Sequence, residues 1–144
     1  MVVALKIAHI AFAAAWFGHK LLIPGDVHES IRDVEGYPRF MARISRAQRL
    51  GLISGLLTLA SGAWLIYEVY GLDAVPTRIW VGLGITVAIF LVGAFLARPA
   101  WGRIKAGLLI GEPAAASAGV VSFRRALLLD NLLWLLALGT MVAN

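Results

Sequence analysis

Four long apolar stretches divide the chain, separated by segments rich in charge, glycine and proline. A helix that crosses a bilayer needs about 20 mainly apolar residues. The first stretch runs over about residues 2–23 and meets Pro24-Gly25. The second covers about 49–70 and meets Gly71. The third covers about 78–96, with Pro99 beyond it, and the fourth about 125–142. Proline and glycine stop helices by removing a donor and adding backbone freedom. The pattern predicts an all-α fold: a transmembrane four-helix bundle forming a single domain over residues 1–144.

Composition supports lipid as the solvent. Hydrophobic residues make up 60% of the 144 positions and charged residues 15%. Mean hydropathy is +0.84. Soluble domains carry about 25% charge, so a surface this apolar would not stay in water. The first stretch contains an alanine-rich run, Ala11 to Ala15, that could mimic a signal-peptide cleavage region. No basic segment precedes the apolar run, so it is expected to be a retained first helix.

Charge then orients the bundle. The net charge of +5 would suit a nucleic-acid binder if the basic groups formed one patch. They do not. Lys20, Arg32, Arg39, Arg43, Arg46 and Arg49 fall in or beside the first connection. Arg98, Arg103, Lys105, Arg124 and Arg125 fall in the second long one, and only Lys6 and Arg78 lie on the other side. The positive-inside rule therefore makes both long connections cytoplasmic and puts both termini on the non-cytoplasmic side. No nucleic-acid partner is expected. Residues 37–50 place Phe40, Ile44 and Leu50 among four arginines, which predicts an amphipathic extension of helix 2 along the membrane surface. The basic 39–49 segment is either a topogenic cluster or a contact for anionic lipids or a protein partner. Gly111 to Ala116 is an expected helix break.

Helix 2 carries Gly51, Ser54, Gly55, Thr58, Ser61 and Gly62 at steps of three and four, all on one face. Small residues at this spacing let backbones approach closely in lipid. The stripe is either the seam of the bundle or a contact in a homo-oligomer. Gly82, Gly84 and Gly93 suggest close packing for helix 3 as well. Trp64, Trp80, Trp101, Tyr67 and Tyr70 lie mostly near helix ends, as an aromatic belt would, whereas Trp134 lies deeper.

Polar groups at membrane depth are costly and so mark candidate sites. His9 lies within helix 1, and Phe12, Ala13, Trp16 and Lys20 share its face. An imidazole among aromatic side chains suits either a helix-to-helix hydrogen bond or an axial bond to haem iron, with Trp16 lining the pocket. His19 is ten residues on, about 15 Å along the axis, and is expected on another face. These two histidines cannot clamp one haem, and His28 is expected in the connection. Asp130, followed by Asn131, lies in helix 4. A carboxylate there costs about 2.5–3.5 kcal/mol, so it should be paired or protonated. It is the candidate for a structural ion pair or for proton handling, with His19, Lys20, Gln48 and Arg49 as possible partners. Cysteine is absent, which excludes disulfides, thiolate ligation and covalent haem attachment. Hydrolase triads, phosphate loops and zinc-type spacings are absent too.

His9, Trp16, Gly18 and Pro24 together resemble the first helix of the small HemJ-like membrane proteins, whose wider relatives include the CopD type. Arg39-Phe40-Met41, the arginines through Arg49, and Gly62-Ala63-Trp64-Leu65-Ile66 extend the resemblance over the first half of the chain. In the second half it rests on Trp80 and on Asp130-Asn131 after Arg124-Arg125. The resemblance implies a four-helix protein of the bacterial inner membrane. It implies b-type haem at His9 and oxidation of protoporphyrinogen IX. The chain departs from that pattern in helix 3, where Ile79 to Gly84 has no lysine. It departs again at Gly25, where an arginine is usual, and at Asp130-Asn131, which stand for an Asn-Glu pair.

Three functions remain open from the residues. The first is a haem-associated redox protein using His9 and Asp130. The second is a non-catalytic accessory or structural subunit of a larger membrane complex. The third is a small transport or metal-handling protein. Soft ligands for copper are few: no cysteine and only Met1, Met41 and Met141.

Overall fold

The computed structural model describes residues 1–32, 37–71, 74–110 and 113–142, and their side chains except at 22, 24–32, 37–41, 113–115 and 142. All regular structure among them is helical. The helices are α1 (Val2–Arg32), α2 (Tyr37–Tyr70), α3 (Thr77–Val92), α4 (Arg98–Leu109) and α5 (Pro113–Val142). A π-helical turn, Gly93–Ala97, joins α3 to α4, so Thr77–Leu109 is one continuous rod. Among the described residues three helices are long and apolar enough to cross a membrane. They are α1 over Val2–Leu21, α2 over Ala42–Tyr70, and the rod. The fourth, α5, carries Arg124, Arg125 and Asp130 along its middle.

The helices outrun the apolar stretches. α1 does not stop at Pro24-Gly25 but continues to Arg32. Proline removes one donor, and membrane-type helices tolerate that loss when neighbouring groups satisfy the freed carbonyl. α2 begins at Tyr37, in keeping with the amphipathic extension, although the side chains of Arg39, Phe40 and Met41 lie outside the described residues. The rod passes through Pro99, which stands in the first turn of α4. Just before it the Arg98 N–H donates to the Gly93 carbonyl, five residues back. This wider pairing absorbs the missing proline donor, so the helix continues where a stop was expected. α5 begins at Pro113 rather than near Arg125. The expected break at 111–116 includes Gly111 and Glu112, which lie outside the described residues.

The chain divides into two compact units, Met1–Val75 and Pro76–Asn144. In the first, α1 and α2 pair antiparallel: His9 meets Ser61 and Gly62, and His19 meets Gly51. The small stripe of α2 is the surface α1 packs on. Gly51, Ser54, Gly55, Thr58 and Ser61 are all buried. Leu52, Ile53, Leu56 and Leu57, between them, are exposed. This inversion, with small polar residues inside and large apolar ones outside, is what lipid as solvent favours. The buried hydroxyls are satisfied within α2. Ser54 donates to the Leu50 carbonyl at 2.6 Å, Thr58 to Ser54 at 2.8 Å and Ser61 to Leu57 at 2.6 Å. Gly71 ends α2 with a φ of 65°, a conformation that costs glycine nothing.

The second unit folds the rod against α5, again antiparallel. Trp101 and Phe123 meet with ring centroids 6.0 Å apart. A Cβ on Gly119 would come within 2.9 Å of the Ile104 backbone nitrogen and 3.2 Å of the Ala100 carbonyl. Only glycine permits that approach of two helix backbones. Ile89, Val92, Ala100, Trp101, Ile104, Phe123, Ala126 and Leu127 make the buried core.

Candidate functional site

His9 is half-buried on the face of α1 that α2 covers. Its Nδ1 lies 2.9 Å from the Ser61 Oγ. The Ser61 hydroxyl has one proton, and that proton goes to the Leu57 carbonyl at 2.6 Å. The oxygen is therefore left to accept, which assigns the Nδ1 proton to His9 and the free lone pair to Nε2. The Thr58 carbonyl is also within hydrogen-bonding reach of the ring. Gly62 makes room for it: the imidazole Cε1 stands 3.1 Å from where a Cβ on Gly62 would be. In the sequence Ser61 and Gly62 show only as members of a small-residue stripe; their role as the seat of His9 emerges from the pairing of α1 with α2.

Trp16 and Lys20 continue the His9 face. Both are buried, and the Lys20 ammonium lies over the Trp16 ring, 4.7 Å from its centroid. A desolvated cation over an indole face is worth about 2 kcal/mol. The indole so engaged is held in one orientation two turns from His9.

His19 does not lie on a face apart from His9. Both imidazoles meet α2, His19 lying where a side chain on Gly51 would otherwise be. The reason is geometric. Ten residues separate the two histidines, and ten separate Ser61 from Gly51, so the contact line drifts equally around both helices. The His19 Nδ1 donates to the Ala15 carbonyl at 3.4 Å, and its Nε2 faces α2 at Gly51. About 15 Å of helix rise still separates the two rings. The side chain of His28 lies outside the described residues.

Asp130 belongs to the second unit and is buried in α5, with 5% of its surface exposed. Beside it, the Asn131 Oδ1 is buried with no hydrogen-bond partner among the described residues. An unmatched amide oxygen in an apolar setting costs about 1–3 kcal/mol. His9 belongs to the first unit, and each site stands within its own unit. No group of three or more His, Cys, Asp or Glu able to hold a metal ion occurs among the described residues.

The donor set at His9 would suit a bond from one imidazole nitrogen to haem iron. Ligating histidines commonly donate their second ring N–H to an oxygen acceptor, which orients the ring and raises its basicity. The Ser61 Oγ occupies that position, which would leave Nε2 as the ligating atom. No family model, curated protein or solved structure matches this chain.

Proposed function

We propose that this chain is a haem-associated redox protein of a bacterial inner membrane, holding one b-type haem through His9 Nε2. The observation that carries the proposal is the hydrogen bond from His9 Nδ1 to Ser61, which leaves Nε2 as a base at membrane depth. Trp16 would flank the group, and Asp130 is the proposed proton-handling residue. When bound, haem supplies one-electron chemistry. The chain's own part is to orient the ligand and exclude water. The likeness of the first half to HemJ-type proteins supports the same assignment. In this proposal α5 is a fourth span, both termini are non-cytoplasmic, and the basic 39–49 segment faces anionic lipids of the inner leaflet.

The test is an absorption spectrum of gently solubilised protein from haem-sufficient cells, with its apparent mass. A Soret band that His9→Ala abolishes supports the assignment. A colourless wild-type preparation contradicts it.

A second function, that of an accessory subunit of a larger complex, is favoured by the seating of both histidines against glycines of α2. Such seating would make them packing devices. It predicts a co-purifying partner, no cofactor, and histidine variants that lose stability without any spectral change. Transport or metal handling draws no support from the described residues, which hold no multi-ligand cluster.

A further inference from the structure

Within the second unit, a groove of about 310 Å³ runs between the rod and α5. Its two ends differ in chemistry. Arg103 and Ser122 stand at one end, and Phe95, Leu96 and Leu129 form the walls toward the other, with Arg125 between. The antiparallel register set by Trp101 against Phe123 and Ile104 against Gly119 aligns them this way. Leu96 is seven residues from Arg103, about 10 Å along the rod. Phe95 and Leu96 belong to the π-helical turn that Pro99 imposes, and both are exposed, at 71% and 48%.

No carboxylate lines this groove. Neither Arg103 nor Arg125 has an ion pair or hydrogen bond among the described residues. Two guanidiniums with no counter-charge among the described residues, at the edge of an apolar wall, present forked donors to an anion. The wall beyond them calls for an acyl chain. We infer that the groove is a site for one anionic glycerophospholipid, its phosphate between Arg103 and Arg125 and one acyl chain along Phe95, Leu96 and Leu129. Net positive charge without a carboxylate disfavours zwitterionic lipids, whose ammonium finds no acceptor. Free phosphate would gain nothing from the apolar wall. The site is independent of haem at His9 and requires only that the rod crosses the bilayer.

The test is native mass spectrometry of the full chain in detergent, titrated with phosphatidylglycerol or phosphatidylcholine. One phosphatidylglycerol should be retained in preference to phosphatidylcholine. Arg103→Gln with Arg125→Gln should weaken retention about 30-fold, about fivefold for each arginine. Lys105→Gln with Arg124→Gln, an equal charge change outside the groove, should stay within about twofold, as neither residue lines it. Phe95→Ala should weaken phosphatidylglycerol retention as well. If the double arginine variant unfolds in detergent, the single variants are read instead. Wild-type retention in the arginine variants would overturn the site. So would equal loss in the control pair, or displacement of the lipid by millimolar inorganic phosphate.

Discussion

His9 Nδ1 and Ser61 Oγ lie 2.9 Å apart, joining the first helix to the second within the apolar region of both. The bond does two things. It pins α1 against the small face of α2, and it decides which imidazole nitrogen keeps a lone pair. Ser61→Ala removes the acceptor and leaves the ring free to turn. Interhelical hydrogen bonds in membranes are worth about 0.6 kcal/mol, so the hairpin should weaken only slightly. Under the proposed haem assignment the larger effect should fall on the ligand: the Soret band should persist while the haem midpoint potential shifts, because His9 would no longer be oriented. Redox titration of the two proteins checks this. An unchanged potential would mean that Ser61 does not tune His9.

Gly51 and His19 form the second seat. Gly51→Leu places a branched side chain where the His19 imidazole lies. Overpacking costs about 1–3 kcal/mol, and unfolding in mixed detergent should register that loss. Adding His19→Ala should restore much of it, because the clash then disappears. A harmless Gly51→Leu would contradict the α1–α2 register that seats His19 on Gly51.

Gly119 makes the corresponding demand in the second unit. Gly119→Val would drive its side chain into the Ile104 backbone, which cannot move aside as a side chain can. The loss should reach the upper part of the same roughly 1–3 kcal/mol range, with at most partial rescue by Ile104→Ala. That change removes the Cγ1 contact at 2.8 Å but not the backbone ones. Thermal unfolding of the three variants separates backbone crowding from side-chain crowding.

The basic residues make a prediction about orientation. A phosphatase reporter fused after Asn144 should be active on the non-cytoplasmic side, and one placed in the 111–116 connection should be inactive. The opposite pair of results would reverse the assignment of both termini.

Much of this fold is legible in the chain. The apolar stretches name the helices, and the step of three and four from Gly51 to Gly62 names the face on which α2 packs. Helix ends are not legible, because Pro24 and Pro99 look like stops. At Pro99 a π-helical turn carries the backbone through, a device with no composition of its own. The partner of the small stripe is also hidden, since one helix does not state its register against another. A signal did exist. His9 and His19 are ten residues apart, as are Ser61 and Gly51, and an antiparallel pair brings equal spacings together. On α1 alone the two histidines fall on different faces, and only the shared spacing on α2 brings both to it. For Asp130, burial was legible from its depth in α5, whereas the unmatched Asn131 oxygen appears only once the side chains are placed.

The proposed bond from His9 Nε2 to haem iron is tested most directly by replacing the side chain with free imidazole. His9→Gly removes the imidazole but leaves its space beside Ser61 and Gly62. Spectra of this variant are recorded with and without added imidazole, at protein folded to the wild-type extent. The expected result is no Soret band alone and recovery of the wild-type band as imidazole fills the gap. A wild-type spectrum in the variant without imidazole, or no recovery at any imidazole concentration, would contradict ligation by His9.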